Sequence, residues 1–267
     1  MNKVYIHEKE NENKSILMNQ LIQSAEQNQV KLINQPRKAD AIVILGNDGD
    51  FLHGVRKTNF SSNAVYIGVS ENESVGLYSS VPFSRKDDIW KNISNTAYTQ
   101  KHDVLHLSID DREDRFYACL NEFSIRSGII KSIVIDVQID DSHLEQFHGD
   151  GLIVSTPSGS SGYNKSIGGA VVDPKLTSLQ ISKIAPLTNS RYNVFHSPLV
   201  LDHSRKIRFD IIQDGNDHPI IGLDNEAFPI SHIRSVELSL VPRALTHFNL
   251  PEANYIDQLK DQFLNKK

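Results

Sequence analysis

Cysteine occurs once in this 267-residue sequence, tryptophan once and methionine twice. A single cysteine, Cys119, excludes an internal disulfide framework and a cysteine-built metal cage. No apolar run approaches the roughly 18 residues that a membrane-spanning helix needs. The opening "MNKVYIHEKENENK" has three apolar residues before charge returns, so no secretory leader is expected and the cytoplasm is the implied compartment. No Gly-Lys pair occurs anywhere, which removes a Walker A loop. A three-glycine dinucleotide fingerprint and a Gly-x-Ser-x-Gly elbow are missing as well. The eleven histidines are scattered, and no helical His-x-x-x-His pair sits beside a glutamate, so no protein-built metal site is expected. Charge is only mildly one-sided: 28 basic and 33 acidic residues give −5. That balance argues against broad nucleic-acid binding and leaves a phosphate-bearing small ligand open.

What is present describes a globular chain. Hydrophobic residues make up 39% and charged residues 23%, enough apolar material for a large core. The first hundred residues alternate strand and helix patterns. "KVYIH", "VKLI", "AIVIL" and "AVYIGV" are β-rich runs. "KSILMNQLIQSAEQ", "DFLHGVRKT" and "SRKDDIWKNISNTA" carry helical spacing, the last with Ser84 as its N-cap. Buried strands separated by helices predict a Rossmann-like parallel sheet in an α/β N-terminal domain, residues 1–100. From Lys101 onward short strands and turns dominate, so residues 101–267 are expected to be mostly β. Two exceptions stand out. "KLTSLQISKIA", Lys175 to Ala185, has helical spacing. The tail places Tyr255, Ile256, Leu259, Phe263 and Leu264 on one apolar helix face, expected to pack back on the first domain.

Four stretches carry candidate chemistry. "AIVILGNDGDFL", Ala41 to Leu52, runs from an apolar strand through a glycine turn toward a helix, which offers backbone N–H groups to phosphate. Asp48 repels phosphate but suits a proton-accepting or metal-holding role. Asn-Asp-Gly also suits an ordinary β-turn. The second stretch, "HGDGLIVSTPSGSSGYNKSIGGAVV", His148 to Val172, packs hydroxyls and glycines behind a strand. A flexible Ser/Gly loop is the plain alternative, weakened by "LIVST" before it and Tyr163 within it. "CLNEFSI", with Asn121 and Glu122, and "GLDNEAF", with Asp224 and Asn225, say little on their own.

In this order the four stretches resemble the NAD kinase family. Its "GGDG" stands here as "GNDG" at Gly46 to Gly49, its "NE" as Asn121 and Glu122, and its long "DGL-STP-GS-AY-S-GGP" block as the stretch from Asp150. "SPLVL" and "LDNE" continue the match, over residues 40 to about 230. Diacylglycerol kinases and phosphofructokinases share the first motif, and the long block sets this chain apart from both. The resemblance implies transfer of the ATP γ-phosphoryl group to the 2′-hydroxyl of the adenosine ribose of NAD, with Mg²⁺ required.

Residue by residue, it implies Asp48 as proton acceptor, with Gly46 and Gly49 beside it. It implies Asn121 and Glu122 as NAD contacts. Asp150, Ser158, Ser161, Gly162, Tyr163, Asn164, Lys165 and Ser166 would hold the nicotinamide and adenine ends. His148, Ala185 and Asn225 are further contact positions, and Tyr78 is where an aromatic ring would face the adenine. A homodimer or homotetramer is implied too, with no nucleic-acid or membrane partner.

The sequence departs from the family at Asn47, in place of a glycine, and at Asp50, in place of a threonine. An added carboxylate beside phosphates should weaken triphosphate binding unless Mg²⁺ or a turned side chain relieves it. "SENESVGLY" is also more acidic and poorer in glycine than the family's loop. These departures motivate an alternative, a slow or non-catalytic dinucleotide-binding protein. A kinase for a different hydroxyl acceptor is a third reading.

Overall fold

A computed structural model describes residues 3–7, 15–110, 112–188, 193–212, 219–229, 233–251 and 254–264. The chain divides into two compact units, Met1–Lys101 with Leu245–Lys267, and His102–Ala244.

The first unit is built on parallel strands: β1 (Lys3–His7), β2 (Lys31–Leu32), β3 (Ala41–Leu45), β4 (Val65–Ser70) and β5 (Val81–Pro82). Between them lie helices α1 (Ser15–Gln27), α2 (Asp48–Lys57) and α3 (Lys86–Asn92). All five residues of β3 are buried, because the sheet is covered on both faces. Val43, Leu45, Ile67 and Val69 pack with Met18, Leu21, Ile89 and Trp90 of α1 and α3. On the opposite face Phe51 of α2 meets Tyr66 edge-on at 6.3 Å. Ser84 does not cap a helix. Residues Phe83–Arg85 form a 3₁₀ turn, and α3 begins after it with no side-chain cap.

The second unit is an antiparallel sandwich. Its strands are β6 (Thr99–Ile109, which begins in the first unit), β7 (Arg112–Cys119), β8 (Glu122–Arg126), β9 (Ile133–Ile139), β10 (Ser142–Gly149) and β11 (Gly151–Ser155). After the four-residue helix α4 (Tyr163–Ser166) come β12 (Ser178–Ile184), β13 (Leu199–Asp202), β14 (Ile207–Ile211), β15 (Ile220–Leu223), β16 (Glu226–Pro229) and β17 (Ser235–Phe248). One layer runs β13-β12-β11-β8-β15-β16, and β10, β9, β14 and the start of β17 pair in the other. Phe123, Leu152, Leu179 and Ile221 from the first layer meet Ile135, Phe147, Phe209 and Val236 from the second in one core.

Lys175 to Ala185 is therefore not helical; Ser178–Ile184 is strand β12. Its apolar residues also fit a period of two, with Leu179 and Ile181 in the core. Gln180 and Ser182 face the other way and are buried too, because the Ser/Gly-rich block covers them. Gln180 exchanges two hydrogen bonds with Ala170, at 2.8 and 2.9 Å.

The chain then returns to the first unit. Thr246 and His247 pair in parallel with Val65 and Tyr66. Helix α5 (Tyr255–Phe263), capped by Asn254, belongs to the same unit. Its orientation differs from the expected one. Gln258 is buried and Tyr255 and Leu259 are half-buried, whereas Ile256, Phe263 and Leu264 are exposed.

Candidate active site

Strand β3 ends at Leu45 and the chain turns at Gly46, whose φ of +143° favours glycine. A side chain at Gly46 would also collide with Asp50, 2.2 Å from the Cβ position. Asn47 is the N-cap of α2, and it forms a reciprocal capping box with Asp50. The Asp50 N–H donates to Asn47 Oδ1 at 3.0 Å, and the Asn47 N–H donates to Asp50 Oδ2 at 3.1 Å. The carboxylate that departs from the family pattern is thus turned back onto the backbone and buried.

Asp48 opens the helix, and its carboxylate sits in a ring of donors. Oδ1 accepts from the N–H groups of Tyr78 at 3.0 Å and Ser79 at 2.9 Å. Oδ2 accepts from the Leu77 N–H at 2.8 Å and from Gln262 Nε2 at 3.4 Å. Residues 77–79 come so close because position 76 is glycine; a Cβ there would stand 2.1 Å from Asp48 Oδ1. Around this point lies a cavity of about 700 Å³, lined by Gly46, Asn47, Asp48 and Gly49, by the 70–79 segment, and by Asp261 and Gln262 of α5.

Tyr78 takes another role than the sequence implied. Its ring is 2% exposed, stacked on Phe51 at 5.2 Å and edge-on to His247, so it belongs to the core of the first unit. No face is open to an adenine ring, and only its backbone serves the site. His247 is fully buried and donates from Nε2 to the Tyr78 carbonyl at 2.8 Å. Burial pulls its pKa down to about 4 despite that bond and the nearby Asp48, so the ring is neutral at pH 7.

In the second unit Asn121 and Glu122 stand at the start of β8, fixed from two sides. Asp224, at a φ of +51°, accepts from the N–H groups of Leu120, Asn121 and Glu122 at 3.2, 2.7 and 3.3 Å. Thr156 donates its hydroxyl to the Leu120 carbonyl at 2.7 Å, and its N–H to that of Asn121 at 2.9 Å. Glu122 Oε2 is buried with no hydrogen-bond partner among the described residues. Desolvation, then repulsion from Asp224, lifts the Glu122 pKa to about 8, so this carboxyl holds its proton at pH 7. Gly162 packs beside it: a Cβ there would be 3.3 Å from Oε2.

The Ser/Gly-rich block is a folded plug. Ser158 pairs with His102 Nδ1 at 2.8 Å, and Ser161 donates to the Ser158 carbonyl at 3.3 Å. Asn164 is fully buried. Its amide donates to the carbonyls of Ser160 and Ala170, and its Oδ1 accepts from Ser182 at 2.5 Å. With its polar atoms spent inside the fold, Asn164 is a strut rather than the ligand contact the sequence implied. Tyr163 is half-buried under the Arg126 guanidinium, which donates to its hydroxyl at 3.2 Å. Lys165 is half-buried and Ser166 exposed.

Asp150 and Ala185 come together because the Asp150 N–H donates to the Ile184 carbonyl at 3.0 Å; both side chains are exposed. His148 is buried, with Nε2 against Gln146 Oε1 at 3.1 Å. Asn225 is exposed at the β15–β16 turn.

Sequence reasoning thus found Gly46, Asp48 and Gly49 on one cavity, and Asn121, Glu122 and Gly162 side by side. It missed Thr156, Asp224 and Gln262 as partners of those residues, and the backbone donors of residues 77–79. Only its place in the "LDNE" stretch hinted at Asp224. Among the described residues no helix is long and apolar enough to cross a membrane, and no group of three or more His, Cys, Asp or Glu is placed to hold a metal.

A parallel α/β unit with an aspartate at a strand-to-helix turn is thus joined to an antiparallel unit with a hydroxyl-rich plug. Residues 120–237 match the family model described as the ATP-NAD kinase C-terminal domain. The chain is 39% identical to NAD kinase 2 of Bacillus subtilis (strain 168) over 265 residues, covering 98% of this chain and 97% of that protein. It is 40% identical to NAD kinase 2 of Halalkalibacterium halodurans over 264 residues, covering 98% of each. The fold is that of yeast NADH kinase, solved with NADH (TM-score 0.82, 19% identity, 100% of this chain and 89% of that one). An Archaeoglobus fulgidus NAD kinase solved with ATP also shares it (TM-score 0.73, 20% identity, 98% and 99%). The chain belongs to the NAD kinase family.

Proposed function

We propose that the protein is an NAD kinase, transferring the γ-phosphoryl group of ATP to the 2′-hydroxyl of the adenosine ribose of NAD. The observation that carries this reading is Asp48 at the first turn of α2, on the cavity that follows β3. In the transfer, the ribose oxygen forms a bond to the γ-phosphorus as the bond to the bridging β,γ oxygen breaks. ADP leaves and the hydroxyl proton passes to the Asp48 carboxylate. The N–H groups of Leu77, Tyr78 and Ser79 hold that carboxylate in one orientation, which is the positioning such a reaction depends on.

Asn121 and the protonated Glu122 supply an amide and an O–H donor toward the dinucleotide. Asp150, Gly162, Tyr163, Lys165 and Ser166 are the further contacts we assign, with His148, Ser158, Ser161, Ala185 and Asn225 around them. Asp224 and Thr156 keep Asn121 and Glu122 in place.

Mg²⁺ suits this donor set. The cavity offers the carboxylate of Glu71, and Mg²⁺ is typically held by one or two carboxylates together with substrate phosphates and water. Glu71 would hold it there, and bound Mg²⁺ would supply charge neutralisation on the transferring phosphoryl group. The family resemblance supports a homo-oligomer, and a cytoplasmic location is part of the same reading.

A second reading, a dinucleotide-binding protein with little or no turnover, is favoured by one observation: every acceptor position of Asp48 is already taken. Incubation with NAD, ATP and Mg²⁺ separates the two. NADP should accumulate, and Asp48→Asn should abolish it. Bound NAD without NADP would establish the second reading instead.

A further inference from the structure

A carboxylate offers about four lone-pair positions, and Asp48 has four donors. Three are backbone N–H groups of one segment, at 2.8–3.0 Å. The fourth, Gln262 Nε2, is the longest at 3.4 Å and comes from another element, α5. A ribose hydroxyl can donate to Asp48 only where a donor has left, and Gln262 is the one whose departure leaves the 77–79 segment intact.

Helix α5 contributes long hydrogen bonds and little fully buried surface. Gln258 and Gln262, one helical turn apart, lie on the same face, and Gln258 donates to the Gly76 carbonyl, again at 3.4 Å. None of its five apolar residues is fully buried: Tyr255 and Leu259 are half-buried, and Ile256 is 52%, Phe263 43% and Leu264 74% exposed. The hydrogen bonds of Gln258 and Gln262 are long, and a half-buried apolar face holds a helix less firmly than a fully buried one.

We propose that Gln262 occupies, on Asp48 Oδ2, the position that the acceptor hydroxyl takes, so that α5 is an internal competitor of NAD and must shift for turnover. The proposal rests on Asp48 being the proton acceptor of the transfer. It makes Gln262 a positioning residue and the α5 segment a point at which acceptor binding is tuned.

Steady-state kinetics of Gln262→Ala with NAD varied at saturating ATP test it. Removing one long, weak hydrogen bond should lower the KM for NAD about three- to tenfold, with no loss of kcat. Gln258→Ala, which loosens α5 without touching Asp48, should shift KM in the same direction and by less. In the unaltered protein, saturating NAD should speed hydrogen exchange of the amides of residues 255–264. A KM that stays or rises, a fall in kcat at constant KM, or unchanged exchange of α5 would overturn the proposal. Asp48→Asn runs in parallel: if it stays active, the assignment of Asp48 fails. If it is dead while Gln262→Ala is unchanged, only the competition fails.

Discussion

Asn47 and Asp50 exchange hydrogen bonds across the first turn of α2, at 3.0 and 3.1 Å. Two of the residues at which this chain departs from its family pattern are therefore one device. Each satisfies an N–H group that a helix start would otherwise leave bare. Asp50 does not line the cavity beside Asp48. Asp50→Ala should cost about 1 kcal/mol of stability, read from urea unfolding, and leave the KM for ATP unchanged. A lower KM for ATP would show that the carboxylate does repel triphosphate.

Gly76→Ala should separate activity from folding. The new methyl group would sit 2.1 Å from Asp48 Oδ1, so the carboxylate or the 77–79 segment must move. A displacement near 1 Å at a reacting group costs about 100-fold in rate. Unfolding midpoints should stay close to those of the unaltered protein while kcat falls by that order.

Glu122 makes stability depend on pH in a definite direction. Its folded pKa is raised from 4.5 to about 8. Between those values the native state keeps a proton that the unfolded chain has lost, so stability falls as pH rises. His247 acts oppositely, being lowered from 6.5 to about 4, but only below pH 6.5. Urea unfolding from pH 6.5 to 8 should therefore show a loss of up to about 1.4 kcal/mol per pH unit. Glu122→Gln should flatten that slope; equal slopes would mean the carboxyl is ionised.

Asn164→Ala should behave as a core lesion. It strips the partner from Ser182 and leaves the Ala170 carbonyl with one donor fewer. The expected loss is about 3 kcal/mol, with the KM for NAD little changed in whatever stays folded. A raised KM at normal stability would make Asn164 a ligand contact after all.

The parts of the fold that follow from side-chain periodicity were legible in the sequence: the all-buried run of β3, helix α1, and the short strands after Lys101. Asp48 was legible because its motif names it. Its surroundings were not, since three of its four partners are backbone N–H groups, which every residue but proline carries. Lys175 to Ala185 misled because Leu179 and Ile181 satisfy a period of two while their polar neighbours are buried under the Ser/Gly block. Tyr78 and Asn164 misled for a shared reason. Residue type shows what a side chain is able to bind, and only packing shows whether it faces a ligand or the core.

The parallel pairing of Thr246 and His247 with Val65 and Tyr66 has a consequence for how the molecule is made. Domains of a nascent chain generally fold in the order they are synthesised. Here the first unit is discontinuous, closed by Leu245–Lys267, whereas His102–Ala244 is continuous. On the ribosome the second unit can complete its core before the first. Asp48 emerges early, yet its turn is left for some two hundred residues of translation without the closing strand beside β4.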